Sequence, residues 1–133
     1  MTKPLACIIA GSRDATYEQT MAVIESCPFK DAITAVISGK CKGADTNGEF
    51  WAAIRNVMVL NFPADWNKHG KAAGPIRNSE MAKEADAAII VPRPDGTYGN
   101  GSLDMMKKMI AKLGPEQAKF LIWPIPPDEL LAG

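Results

Sequence analysis

Histidine is almost missing from this chain, which has one, His69, and only three widely spaced cysteines, Cys7, Cys27 and Cys41, with no CxxC pair. A Cys/His zinc site is therefore excluded, and no disulfide framework is available to staple the fold. The thiols read as small reduced groups of a cytoplasmic protein. Net charge is missing too, since 15 Lys and Arg balance 15 Asp and Glu. Proteins that coat nucleic acid need an excess of positive charge, so no extended nucleic acid is expected as a partner. No apolar run approaches the roughly 20 residues that span a bilayer, and Leu5–Ala10 is too short for a signal-peptide core, so no membrane partner is expected either.

Several catalytic signatures are also absent. Gly39 and Gly43 have the wrong spacing for a phosphate loop of the GxxxxGK[ST] kind, and no Lys-Ser/Thr pair follows them. Gly96, Gly99 and Gly101 lack the GxGxxG spacing of a dinucleotide fingerprint. There is no GxSxG elbow, and Ser12, Ser38 and Ser102 have no histidine at a predictable position. No metal and no resident cofactor are expected.

What remains is a chain of 133 residues, 47% of them apolar, enough for one core without staples. Short continuous apolar runs at Leu5–Ala10, Ala35–Ser38, Val57–Phe62, Ala87–Val91 and Phe120–Trp123 read as strands buried on both faces. Between them lie helical segments: Tyr17–Ser26 with Met21, Ala22 and Ile24 inward; Ala44–Asn56 with Phe50, Trp51 and Ile54 at helical spacing; Pro75–Glu84; and a last helix marked by Leu103, Met106, Ile110 and Leu113, which Gly114-Pro115 ends. Strict alternation predicts an α/β fold, a Rossmann-like doubly wound parallel sheet of about five strands with helices on both faces. Residues 1–123 form the single domain in this reading, and 124–133 a Pro-rich tail.

Ligands of such folds bind at the carboxyl ends of the strands, and each strand end here carries a distinctive cluster. Gly11, Ser12, Arg13 and Asp14 follow the first strand, and Ser38 to Asp45 the second. Asp65 and Trp66, then Lys68, Lys71, Arg77 and Asn78, follow the third; Arg93 and the run from Gly99 through Gly101 to Ser102 follow the fourth. Glycines let backbone N–H groups approach a ligand, and helix starts add partial positive charge, a combination suited to phosphate. Seven basic residues gather in these loops, so a neutral chain can still carry one positive pocket. Arg13, Lys42 and Arg77 are expected to pair with phosphates, and the N–H groups of Gly39, Gly43 and Gly101 to hold the same oxygens. Asp45 or Asp65 would accept from ribose hydroxyls, and Trp66 would either stack on a base or ring or cap the sheet edge. Gly11, Ser12, Ser38, Asn78, Gly99 and Ser102 complete the expected binding set.

Four motifs carry a family resemblance: Ile9-Ala-Gly-Ser-Arg13, Ser38-Gly-Lys-Cys-Lys-Gly-Ala-Asp45, Phe62-Pro-Ala-Asp-Trp66, and Gly70-Lys-Ala-Ala-Gly-Pro-Ile-Arg-Asn78 running on through Met81 to Asp86. With them the chain resembles the SLOG superfamily of Rossmann-like nucleotide-binding domains, in the small single-domain branch related to YspA and YpsA. The resemblance implies a small-molecule, nucleotide-derived ligand, such as an ADP-ribose-like or cyclic nucleotide, bound by a sensor or sequestering protein; separately, because small sheets of this kind often pair through helices, a homo-oligomer is expected. The superfamily's LOG phosphoribohydrolases imply an alternative, a nucleoside-monophosphate N-glycosidase with Arg77 and an acid from Asp104, Asp95 or Glu80. Met105 stands where those enzymes carry their catalytic glutamate, with Asp104 one place earlier and about 100° away around a helix. Lys40 stands where many relatives have a second glycine, so a reshaped loop is expected there.

Overall fold

A computed structural model describes residues 3–132. Five parallel strands, β1 (Ala6–Gly11), β2 (Ala35–Ser38), β3 (Met58–Asn61), β4 (Ala87–Val91) and β5 (Ile122–Trp123), pair in the order β3-β2-β1-β4-β5. The doubly wound α/β architecture is the one the alternating pattern predicts. β1, β2 and β4 are the continuous apolar runs, and they are central. Their side chains alternate between two cores because successive residues point to opposite faces. Ile8, Ile37, Ala88 and Ile90 pack on one face against Met81 of α4 (Ala73–Glu84) and Met105, Met106 and Met109 of α5 (Asn100–Leu113). Cys7, Ile9, Val36, Ile89 and Val91 pack on the other against Ile24 of α1 (Tyr17–Ser26) and Trp51 of α2 (Ala44–Ile54).

Four expectations change. Phe120 and Leu121 belong not to a strand but to α6 (Pro115–Leu121), and only Ile122 and Trp123 pair with β4. Gly114 (φ +83) ends α5 and, followed by Pro115 at the first helical position, starts the next helix. The Pro-rich tail contains α7 (Asp128–Ala132), whose Leu131 is buried in the core. Ala22 faces solvent, and Thr20 takes the inward place on α1. Of the three large apolar residues of α2, only Trp51 is buried; Phe50 and Ile54 are more than half exposed.

The order of the strands places the site. From β1 the chain crosses to β2 on one side, while β4 lies on the other, and the loops leaving β1 and β4 diverge to opposite faces of the sheet. The crevice between them is the topological switch point of the fold.

Candidate functional site

A cleft of about 390 Å³ opens at that switch point. Its rim is built from the β1 end (Gly11, Ser12, Arg13, Asp14), the inner side of α4 (Arg77, Asn78, Met81), the β4–α5 connection and first turns of α5 (Arg93, Gly99, Gly101, Ser102, Met105), and Cys41 and Asp45. Three cations thus face one crevice. Among the described residues, none of Arg13, Arg77 and Arg93 is in an ion pair.

Arg77 is the best-held of the three. Its Nη1 donates to the Gly39 carbonyl at 2.7 Å and its Nε to Asn78 Oδ1 at 3.2 Å. Asn78 is buried and donates in turn to the Gly101 carbonyl and to Asp104 Oδ2, tying α4 to the start of α5. The guanidinium is positioned by neutral acceptors, and among the described residues it makes no ion pair. No side chain caps α5 at Gly99, which leaves first-turn N–H groups open beside Arg93.

The loop after β2 behaves differently. Lys40 has φ +64, a left-handed conformation that favours glycine. Its Nζ pairs with Glu49 Oε1 at 2.8 Å, and Ser38, fully buried, donates to Glu49 Oε2. The Asp45 carboxylate accepts the N–H groups of Cys41 (3.3 Å) and Gly39. Burial raises its pKa from 3.8 to about 6, against the opposing pull of the Cys41 N–H, Arg77 and the Gly39 N–H. The protein's own carboxylate therefore takes one of the three N–H groups expected to hold a phosphate, that of Gly39, together with the Cys41 N–H. A Cβ on Gly39 would lie 2.8 Å from both Arg77 Nη1 and Asp45 Oδ2, so a larger residue there must displace one of these side-chain ends. Gly43, at φ +82, lets α2 start against the β1 loop, where the Ala44 N–H donates to the Ser12 carbonyl at 3.1 Å.

Of the fifteen expected binding residues, the fold brings nine to the cleft: Gly11, Ser12, Arg13, Asp45, Arg77, Asn78, Gly99, Gly101 and Ser102. Ser38, Gly39 and Gly43 lie behind it as loop supports, and Lys42 is exposed outside it. Asp65 caps α3 (Trp66–His69) by accepting the Lys68 N–H at 3.1 Å, and Trp66 sits beside the cleft rather than in it. Sequence reasoning left Asp14, Cys41, Met81, Arg93 and Met105 out of the binding set. Met81 and Met105 follow Arg77 and Gly101 by one helical turn, a spacing that could have pointed to them. For the alternative enzyme, Asp104 is held by Asn78 and by Lys108 Nζ at 2.8 Å, while Met105 faces the cleft. Glu80 and Asp95 are exposed outside it. Among the described residues no group of acidic, His and Cys side chains could hold a metal ion, and no helix is long and apolar enough to cross a membrane.

Comparison with known proteins agrees with the geometry. Residues 7–69 match the YAcAr model, described as the YspA, cpYpsA-related SLOG family. The chain is similar to the Gene 61 protein of Mycobacterium phage D29, 40% identical over 63 residues that cover 43% of this chain and 50% of that protein. It also shares its fold with DNA processing protein A (DprA) of Streptococcus pneumoniae, with a TM-score of 0.61, 16% identity, and coverage of 82% of this chain and 47% of the other. The chain thus spans about half the length of both. The matched segment holds the β1 loop and the Ser38–Asp45 loop, so over residues 7–69 the chain is similar to the YspA- and cpYpsA-related SLOG family, while the sheet beneath them has the fold of the larger protein.

Proposed function

We propose that the cleft binds a phosphate-bearing nucleotide or nucleotide-derived ligand without turning it over, as a sensor or a sequestering protein does. The observation that carries this reading is the convergence of Arg13, Arg77 and Arg93, none ion-paired among the described residues, on a crevice at the switch point. Arg77 and Arg93 would pair with phosphate oxygens, and the uncapped start of α5 would donate backbone N–H groups to the same oxygens. Asp45, in its charged form, would accept from a ribose hydroxyl beside Arg77. Met81, Met105 and Ala10 supply an apolar floor. Binding without chemistry is supported by Met105, whose thioether has no acidic proton to offer a leaving base.

Thermal-shift screening against nucleoside mono- and diphosphates, cyclic nucleotides and ADP-ribose tests the reading. A rise in Tm that grows with ligand concentration is expected, since ligand binding to the folded state stabilises it by mass action. Silence across the whole set overturns the proposal. Release of free base or ribose 5-phosphate during prolonged incubation would replace it with the N-glycosidase reading.

A further inference from the structure

Trp66 stands just outside the cleft with its indole about half exposed. The two other tryptophans, Trp51 and Trp123, donate their indole N–H to Glu25 Oε1 and Ser26 Oγ; among the described residues Trp66 has no such partner. Its far edge leans over the first turn of α4. A Cβ at Gly74 would lie 3.5 Å from Trp66 Cη2 and 4.0 Å from Arg77 Nη2. The hydrogen bonds that hold Arg77 use Nε and Nη1, so Nη2 is the atom turned toward Gly74 and the indole. The missing side chain at Gly74 thus makes a notch joining the aromatic ring to the guanidinium. The cleft itself, at about 390 Å³, is near the low end of small-molecule sites, which run from roughly 300 to 1,000 Å³.

We propose that Trp66, Gly74 and the Nη2 edge of Arg77 form a shelf for an aromatic base, so that the ligand's base stacks outside the cleft while its phosphate meets Arg77 and its remainder reaches inward. This rests on the nucleotide reading above and adds its polarity: base at the α3 side, sugar and further phosphate at the Arg13 and Arg93 side. Stacking tolerates any base, because every base presents a π face. The shelf therefore takes purines and pyrimidines alike, and discrimination between ligands falls to the groups inside the cleft.

The test compares AMP, ADP-ribose and ribose 5-phosphate by calorimetric titration of wild type, Trp66→Ala and Trp66→Phe. Loss of one base–aromatic stack is expected to weaken AMP and ADP-ribose about tenfold in Trp66→Ala. Ribose 5-phosphate should stay within twofold, and Trp66→Phe should recover most of the loss. AMP should also quench the indole fluorescence of wild type and not of Trp66→Phe. If Trp66→Ala leaves AMP affinity unchanged, or weakens AMP and ribose 5-phosphate equally, the shelf is refuted and the nucleotide reading stands. If neither AMP nor ADP-ribose binds the wild type, the shelf falls, and the nucleotide reading falls with it only if the diphosphates and cyclic nucleotides are silent too. Binding of a ten-residue oligothymidylate with AMP silent would overturn the shelf in favour of strand binding.

Discussion

Arginine occurs four times in this chain, and its two settings could hardly differ more. On the outer face of α1 and α2, Arg55 pairs with Asp31 at 3.0 Å and Glu25 at 3.5 Å, and lies 5.1 Å from the centre of the Trp51 ring. Glu25 is held further by Lys30, whose hydrogen bond is the main reason its carboxyl titrates below the usual range. Every charge there has a local answer. At the strand ends, Arg13, Arg77 and Arg93 share one crevice, and among the described residues none has an acid within ion-pair distance. The ion-paired arginine binds the chain to itself; the three without an ion pair among the described residues, of which Arg77 is held by neutral acceptors, are open to a ligand. Zero net charge hides this division completely.

The contrast can be broken most forcefully at Asp45, the cleft acid that faces Arg77 without pairing to it. A carboxyl raised from 3.8 to about 6 holds its proton more tightly in the folded state than in the unfolded chain. Its contribution is then fully present below about pH 4, is lost as pH rises to about 6, and stays lost above. By linkage the loss is about 3 kcal/mol. Asp45→Asn should therefore raise stability at pH 7.5 by up to about 3 kcal/mol and leave it nearly unchanged at pH 4, as read by urea unfolding. A variant less stable at pH 7.5 would mean the ionised carboxylate is a net support of the loop.

Arg77→Ala comes next. Losing a hydrogen bond to a charged group costs about 2 kcal/mol, so ADP-ribose or AMP affinity should fall about 30-fold. Arg93→Ala, at an exposed rim position, should cost a smaller factor, about fivefold, and flatten the salt dependence of binding. Lys40→Gly sharpens the comparison from the other side. Lys40 sits beside the same loop but is answered by Glu49, so nucleotide affinity should change less than twofold in the same titration. The smallest effect belongs to Arg55→Met, which should leave ligand affinity unmoved while increasing susceptibility of the α1–α2 face to proteolysis.

Much of the fold was legible because parallel strands covered on both faces must be continuously apolar. β2, β4 and α1 fall where the residue pattern put them. The run Phe120–Trp123 failed for the same reason that the others succeeded: four apolar residues do not distinguish a strand from the end of a buried helix. Gly114-Pro115 decided it locally by capping one helix and starting another. At the site, glycines and arginines at strand ends were readable, since the fold class alone gathers those loops. Side-chain pairing was not. Nothing in the spacing of Ser38, Lys40 and Glu49 announces that they bond to one another across a helix turn, or that Asp45 turns back on its own loop. Trp66 was readable as aromatic and polar-flanked, but its place beside the cleft depends on the short helix that Asp65 caps.

The way Asp45 occupies its loop has a consequence for kinetics. An empty anion-binding loop ordinarily has to reorganise when its guest arrives. Here the N–H groups of Gly39 and Cys41 already have an acceptor, and Gly43 is already seated against the β1 loop. On the nucleotide-binding reading proposed above, the loop has no such rearrangement to make, so association should be a single exponential whose rate climbs linearly with ligand concentration, with no plateau from a slow isomerisation. Differences among ligands would then be written in how long each one stays.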